Sequence, residues 1–104
     1  MELEEAFGIT VRKARDKVPL VQEDFHRVIS REALSLIERG RRSPRLDQID
    51  AICSIIGVHP LSLLARAYLL KTPEASLSDL FARISSEIDK IEEPPADNPF
   101  TKGT

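Results

Sequence analysis

Residue types that carry specific chemistry are scarce in this chain of 104 residues. It has one cysteine, no tryptophan, two histidines and four glycines. The single Cys53 cannot form an intramolecular disulfide, and there is no second thiol to complete a metal cluster. Its setting, Ile52-Cys53-Ser54-Ile55-Ile56, is mainly apolar. This setting predicts that Cys53 is a small buried hydrophobic residue.

Long hydrophobic runs are also missing. No apolar stretch approaches the roughly 20 residues that a membrane-spanning helix requires. The N-terminus carries Glu2, Glu4 and Glu5, whereas a signal peptide begins with a basic segment followed by an apolar one. We therefore expect a cytoplasmic protein without a membrane partner, and a length of 104 residues predicts one small domain with a tail.

Catalytic motifs are absent from the sequence. No serine has a histidine and an acid at the spacing of a known motif, and there is no glycine-rich phosphate-binding loop. Neither His26 nor His59 has other metal-ligating residues nearby in the sequence. The sequence predicts no catalytic residue, no metal site and no cofactor, and we expect that the protein is not an enzyme.

The pattern of apolar residues predicts an all-α fold. Apolar residues recur every three to four positions, and no segment alternates with period two. We expect five helices in residues 1–70, spanning 4–17, 20–28, 30–39, 46–56 and 60–70. Ser30 is a good N-cap for the third, and Gly40 and Gly57 suit the ends of the third and fourth. We expect two inward-facing stripes: Leu46, Ile49, Ile52, Cys53 and Ile56 on the fourth helix, and Leu61, Leu64, Ala65 and Tyr68 on the fifth.

Residues 71–92 are predicted to form a sixth, amphipathic helix. Its apolar stripe consists of Leu77, Leu80, Phe81, Ile84, Ile88 and Ile91. Because five preceding helices can cover one another, we expect this stripe to form the interface of a homodimer. The alternative is that the helix folds back onto its own domain. Residues 93–104, rich in proline and polar residues, are predicted to be a flexible tail.

Positive charge is concentrated in one stretch, although the net charge of the chain is −2. Residues 27–45 contain six arginines and two glutamates, a local charge of +4. Proteins that bind a duplex through one face need a basic patch rather than a basic total. This stretch therefore indicates a polyanionic partner.

Three stretches resemble the lambda-repressor-like (Cro/repressor-type) helix-turn-helix DNA-binding family. They are VRKAR at 11–15 with LVQEDF at 20–25, IERGRRSP at 37–44, and GVHPLSLL at 57–64. Together they cover residues 8–65 in the family's order. The resemblance implies a five-helix DNA-binding domain in residues 1–70, followed by the amphipathic helix.

The resemblance also assigns roles to individual residues. Helix-turn-helix proteins place the first residues of the second motif helix at base edges in the major groove. This implies base contacts by Ser30, Arg31, Glu32 and Ser35. Arg31 can donate two hydrogen bonds to guanine, and Glu32 can accept one from cytosine. The alternative is that both side chains are merely solvated at an exposed helix start.

Further residues are expected to support the DNA contact. The family's glutamine at the start of the second helix bonds a phosphate, which implies this role for Gln22. Arg41 and Arg42 are expected to contact phosphates, which gives affinity rather than sequence specificity; alternatively, their loop only improves solubility. Arg15 and Glu38 match a family ion pair between the first and third helices, which we interpret as structural.

Two features depart from the family pattern. The turn before Ser30 lacks the usual small residue and glycine, and the chain from Gln22 to Glu38 is about two residues shorter than usual. Leu36 occupies a position on the third helix where the family tends to be polar. A shortened turn is expected to rotate the recognition helix, and Leu36 is expected either to pack under the reoriented helix or to lie at a protein contact.

The sequence thus predicts a transcriptional regulator, expected to be a repressor, that binds a pseudo-palindromic operator in double-stranded DNA as a homodimer. A regulatory protein partner is a further expectation. The alternative hypothesis is a helix-turn-helix fold used as a protein-interaction module or as an antitoxin-like partner-binding protein.

Overall fold

A computed structural model of the protein describes residues 1–20 and 22–95, except for the side chain of Gln22. The helices are α1 (Leu3–Asp16), a 3-10 helix (Gln22–Phe25), α2 (Arg31–Glu38), α3 (Leu46–Ile56), α4 (Pro60–Lys71) and α5 (Leu77–Glu92). No strand occurs within the described ranges, so the predicted all-α class is confirmed for them.

The ends of the helices follow from local hydrogen bonding. Ser30 caps α2, since its hydroxyl accepts a hydrogen bond from the amide of Ala33 at 3.1 Å. At the other end Gly40 adopts a φ of 72°, and the amides of Gly40 and Arg41 donate to the carbonyls of Ile37 and Leu36. This is a Schellman ending, which stops the helix and turns the chain into the following loop.

The hydrophobic core lies mainly where α1 crosses α4, and α2 and α3 complete it. Phe25, Leu34, Ile37, Ile52, Val11 and Cys53 are its largest fully buried side chains. Leu63 and Ala67 supply the core-facing side of α4. These side chains fix α2 against α1, so the position of α2 is determined by the core rather than by the loops beside it.

Helix α1 approaches the end of α2 closely, and a glycine makes this approach possible. A Cβ atom at Gly8 would collide with the carbonyl oxygen of Ile37 and would lie 2.7 Å from that of Glu38. Both are backbone atoms, which cannot move aside as a flexible side chain would. The contact explains why a glycine occupies the middle of α1, where it would otherwise weaken the helix.

The predicted second helix, residues 20–28, is wrong in type and extent. The chain forms one 3-10 helix there, and two further turns are closed by bonds from the His26 amide to the Glu23 carbonyl and from the Val28 amide to the Phe25 carbonyl. The backbone is already extended at Ser30, so there is little room for a propagated helix, which is costly to nucleate. The described residues of the range 1–70 therefore form four α-helices and one 3-10 helix, instead of five α-helices.

The predicted inward stripes are wrong in part. Leu46 is 83 % exposed, and on α4 Leu61 and Tyr68 are also exposed, although Leu64 packs partly against the core. Helix α4 is apolar on two adjoining faces, and α1 covers the face with Leu63 and Ala67. The face containing Leu61 and Tyr68 is left to meet α5.

The C-terminal helix is shorter than the predicted range 71–92. Lys71 ends α4, residues 72–76 connect the two helices, and α5 begins after Ser76, whose hydroxyl accepts from the amide of Asp79 at 3.0 Å. No side chain of α5 is buried, and the helix contacts its own domain through α4. Of the predicted tail 93–104, residues 96–104 lie outside the described residues.

No individual described helix combines the length and apolar composition needed to cross a membrane. Only α3 and α4 taken together meet those criteria, and they are bent by 105° at their junction.

Candidate nucleic-acid interface

The outer face of α2 presents the residues predicted to read DNA. Arg31, Ser35 and Arg39 lie four residues apart and therefore share one side of the helix. Arg31, Arg39 and Glu32 are exposed, and Ser35 is half-buried. The opposite side of α2 faces the core. The helix therefore displays one polar surface with two arginines.

The inner face of α2 is held firmly. Ala33, Leu34 and Ile37 are buried. At its last residue, Glu38 accepts hydrogen bonds from Arg15 Nε at 2.7 Å and Arg15 Nη2 at 2.9 Å. The ion pair predicted from the sequence is thus present. The pair ties the end of α2 to α1. The hydrogen bond to Glu38 raises the pKa of Arg15.

Of the four predicted base-contact residues, Ser30, Arg31 and Glu32 lie at the start of α2, and Ser35 lies one turn further along the helix. Ser30 uses its hydroxyl oxygen as the cap of the helix. Arg31 lies 3.7 Å from Glu23, and both side chains are about two-thirds exposed. Such an exposed ion pair contributes little to stability. The guanidinium of Arg31 can therefore exchange Glu23 for another acceptor with little loss of free energy.

Arg39 belongs to the same face, although it is not among the DNA-contact residues that the sequence predicts. Its Nε donates to the carbonyl oxygen of Ser35 at 3.4 Å, and the rest of its guanidinium is exposed. Helical spacing from Arg31 and Ser35 was the signal that could have identified it, because positions 31, 35 and 39 lie one above another.

The loop after α2 contains Arg41 and Arg42, which were predicted to contact phosphates. Both are exposed, and within the part of the chain that the structure describes neither guanidinium forms an ion pair. The acidic start of α1 lies beside this loop, since the hydroxyl of Ser43 donates to a carboxylate oxygen of Glu4 at 3.2 Å. The negative charge of Glu4 partly offsets the positive charge of the loop. The sequence does not show this, because Glu4 and the loop are far apart in the chain.

Arg45, at the end of the loop, is already paired. Its Nε and Nη2 lie 3.0 and 3.2 Å from the carboxylate oxygens of Asp47. This hydrogen bonding lowers the pKa of Asp47 and raises that of Arg45. Gln22, the remaining predicted phosphate contact, begins the 3-10 helix, but its side chain lies outside the described part of the protein.

The predicted dimer residues form an exposed stripe along α5. Leu77, Phe81, Ile84, Ile88 and Ile91 are between 38 % and 77 % exposed, and Leu80 is half-buried. Between α4 and α5 lies a groove of about 520 Å³, whose lining includes Leu61, Leu64, Tyr68, Leu80, Phe81 and Ile84. The stripe is therefore continuous with the exposed apolar face of α4.

The remaining chemically distinctive residues have structural roles. Cys53 is fully buried, and desolvation raises its pKa to about 11, so it behaves as the predicted small hydrophobic residue. His59 Nδ1 accepts from the amide of Leu61 at 3.0 Å and caps α4. Across residues 1–20 and 22–95, no group of three or more histidine, cysteine, aspartate or glutamate side chains is arranged to hold a metal ion.

The described chain is thus all-helical, with an exposed, arginine-bearing short helix and an amphipathic C-terminal helix. Comparison with protein-family models, with curated proteins and with solved structures finds no match.

Proposed function

We propose that the protein is a DNA-binding transcriptional regulator of the lambda-repressor-like helix-turn-helix type. It acts as a repressor and binds a pseudo-palindromic operator as a homodimer. The observation that carries this proposal is the two-sided construction of α2, in which a rigidly held inner face supports an exposed outer face with Arg31, Ser35 and Arg39.

The core and an ion pair hold α2 in a fixed position. Base recognition requires side chains held at fixed positions relative to the groove, because each hydrogen bond to a base edge depends on distance and angle. The buried residues Leu34 and Ile37 and the bidentate Arg15–Glu38 pair supply this rigidity. A helix that served only to improve solubility would not need such support.

Charge supports the same function. The exposed arginines of α2 and its loop carry positive charge that neutralises phosphates and releases counterions. Arg31 and Arg39 act at the helix face, and Arg41 and Arg42 act from the loop. Ser30, Glu32 and Ser35 complete the proposed reading surface, and Gln22 is proposed to contact a phosphate.

A selection experiment tests the proposal. The full chain is incubated with random duplex DNA, bound duplexes are sequenced, and affinity for the selected sequence is measured at two salt concentrations. We expect two related half-sites about one helical turn apart, ~34 Å, or a multiple of that distance. Binding that selects no sequence and depends only on salt would contradict the proposal.

Two observations favour a second candidate, a protein-interaction module or antitoxin-like partner-binding protein. The helix before α2 is a single 3-10 turn, although helix-turn-helix proteins use a helix there to cross the DNA backbone. Leu36 is also half-buried on α2, beside the polar outer face. The same selection separates the two candidates, because an interaction module enriches no DNA sequence.

A further inference from the structure

A cleft between α1 and α4 is used neither by the proposed DNA contact nor by the stripe of α5. It has a volume of about 280 Å³, and it shares no lining residue with the groove between α4 and α5. Its apolar lining is contributed by Ile9, Ala14, Val58, Leu63 and Leu70. Pockets that bind small molecules measure about 300–1,000 Å³ and are mostly apolar, so this cleft has the size for a small ligand with an apolar body.

The walls of this cleft offer little to the polar groups of a ligand. Thr10 lines the cleft and is buried, but its hydroxyl already donates to the carbonyl oxygen of Ala6 at 2.8 Å. Ser62, the other uncharged polar residue of the lining, is exposed. A polar group placed deep in the cleft would lose hydrogen bonds to water without replacing them. The cleft therefore favours a ligand whose inner part is a hydrocarbon.

Three cationic side chains line the same cleft. They are Lys13 and Lys17 on α1 and Arg66 on α4, and all three are exposed. None of them forms an ion pair with a described residue, and no described aspartate or glutamate lines the cleft. Long basic side chains lay their stems on apolar surface and keep their charges in water, so we expect these charges at the opening of the cleft.

The arrangement of these cations favours an anionic head group on the ligand. Lys13 and Lys17 are four residues apart, so two like charges are neighbours on α1, which weakens a helix slightly. An anion between them and Arg66 would offset this repulsion. A DNA backbone also supplies anions, but its phosphates and sugars are polar and leave the apolar walls of the cleft unfilled. An anionic head on a hydrocarbon chain complements both the cations and the apolar lining.

We propose that the cleft between α1 and α4 binds a carboxylate with an alkyl chain of medium length. The alkyl chain packs against the apolar lining, and the carboxylate lies near Lys13, Lys17 and Arg66. The volume of the cleft suits one such chain better than the long acyl chains of a membrane lipid. This inference goes beyond the proposed function and does not rest on it, so a failed DNA selection does not count against the cleft.

An NMR titration of the isotope-labelled full chain tests the proposal, with octanoate at neutral pH and below its micelle concentration as the probe. We expect saturable shifts of backbone amides in residues 9–17 and 58–70. The expected Kd is about 1 mM or lower, since about six buried methylene groups contribute an affinity of that order. Hexanoate, which is shorter by two methylene groups, is expected to bind about tenfold more weakly. Octanol, which lacks the charge, is also expected to bind about tenfold more weakly.

Substitutions at the opening of the cleft separate the effect of charge from that of apolar contact. A triple variant with Lys13→Gln, Lys17→Gln and Arg66→Gln is expected to bind octanoate about tenfold more weakly and octanol unchanged, because each exposed charge contributes only a few-fold. Arg12→Gln is the matched control, since Arg12 is an exposed cation of α1 that does not line the cleft. It is expected to bind octanoate like wild type. Circular dichroism confirms that each variant is folded.

Three results would each overturn the proposal. The first is the absence of saturable shifts at octanoate concentrations about ten times the expected Kd. The second is a set of shifts confined to the groove between α4 and α5, which places the ligand at the other apolar surface. The third is equal binding of octanoate and octanol with no loss in the triple variant, which reduces the interaction to non-specific apolar contact.

Discussion

Arg15 and Glu38 link α1 to the end of α2 through two hydrogen bonds, of 2.7 and 2.9 Å. Their side chains are 14 % and 6 % exposed. Glu38 is the last residue of α2, where the helix dipole disfavours a carboxylate. Arg15 supplies the compensating charge, and it does so with a geometry that also fixes the position of α2.

Glu38→Ala is expected to destabilise the protein by about 3 kcal/mol, because it leaves a nearly buried arginine without its partner. Chemical denaturation measures this change in the free energy of unfolding. Glu23→Ala is the matched control, since it removes an exposed partner of Arg31 and is expected to change stability by less than about 0.5 kcal/mol. If Glu38→Ala unfolds like wild type, the pair does not stabilise the fold.

Gly8→Ala is expected to lower the free energy of unfolding by about 2–3 kcal/mol, although alanine normally stabilises the middle of a helix. The added Cβ would meet the carbonyl groups of Ile37 and Glu38 and push α1 away from α2. Thermal and chemical denaturation provide the measurement.

Gly57→Ala is the control for Gly8→Ala. Gly57 has a φ of 89° with open space around it, so alanine there brings only backbone strain, about 1–2 kcal/mol. A smaller loss of stability for Gly8→Ala than for Gly57→Ala contradicts the close approach of α1 to α2.

The buried thiol of Cys53 is expected to make the stability of the protein depend on pH. The pKa of this thiol rises from 9.0 to about 11 on burial, so the unfolded chain loses the proton at lower pH than the folded protein. The contribution of the protonated Cys53 thiol to the free energy of unfolding is complete below about pH 9 and is lost as the pH rises toward 11. Wild type is therefore expected to lose more stability over this range than Cys53→Ala. Equal losses in the two proteins contradict this account.

Two arginine substitutions separate sequence reading from general affinity. Arg31→Ala is expected to relax discrimination at one base pair, by about 1–3 kcal/mol. Arg41→Ala is expected to weaken binding to all sequences alike and to reduce the salt slope by about one. Binding titrations on the selected duplex and its single-base variants measure both effects. Indistinguishable behaviour of the two variants contradicts the division of roles.

Removal of residues 72–104 is expected to change the mass in solution from dimer to monomer while leaving the stability of the monomeric fold nearly unchanged. The reason is that no side chain of α5 is buried within a single copy. Sedimentation and chemical denaturation provide the two measurements. Ile84→Asp in the full chain is the matched variant, because it disrupts the stripe without shortening the protein. A dimeric mass for the shortened chain places the interface elsewhere.

Local sequence determined where the helices begin and end. Ser30 and Gly40 bound α2, Gly57 ends α3, and Pro60 begins α4, as predicted. Caps and left-handed glycines act through hydrogen bonds within a few residues, so their effect can be predicted without knowing the fold. The Arg15–Glu38 pair was also predicted, but through resemblance to a family rather than through local physics.

Tertiary structure decided what each helix faces. Leu61 and Tyr68 have the spacing of a core stripe, yet α1 packs on the neighbouring face with Leu63 and Ala67, and periodicity cannot choose between two apolar faces. Two features require distant parts of the chain to meet. They are the close contact at Gly8 and the position of Glu4 beside the loop that contains Arg41. Sequence alone therefore determined the ends of α2, α3 and α4, whereas packing determined the surfaces that these helices present.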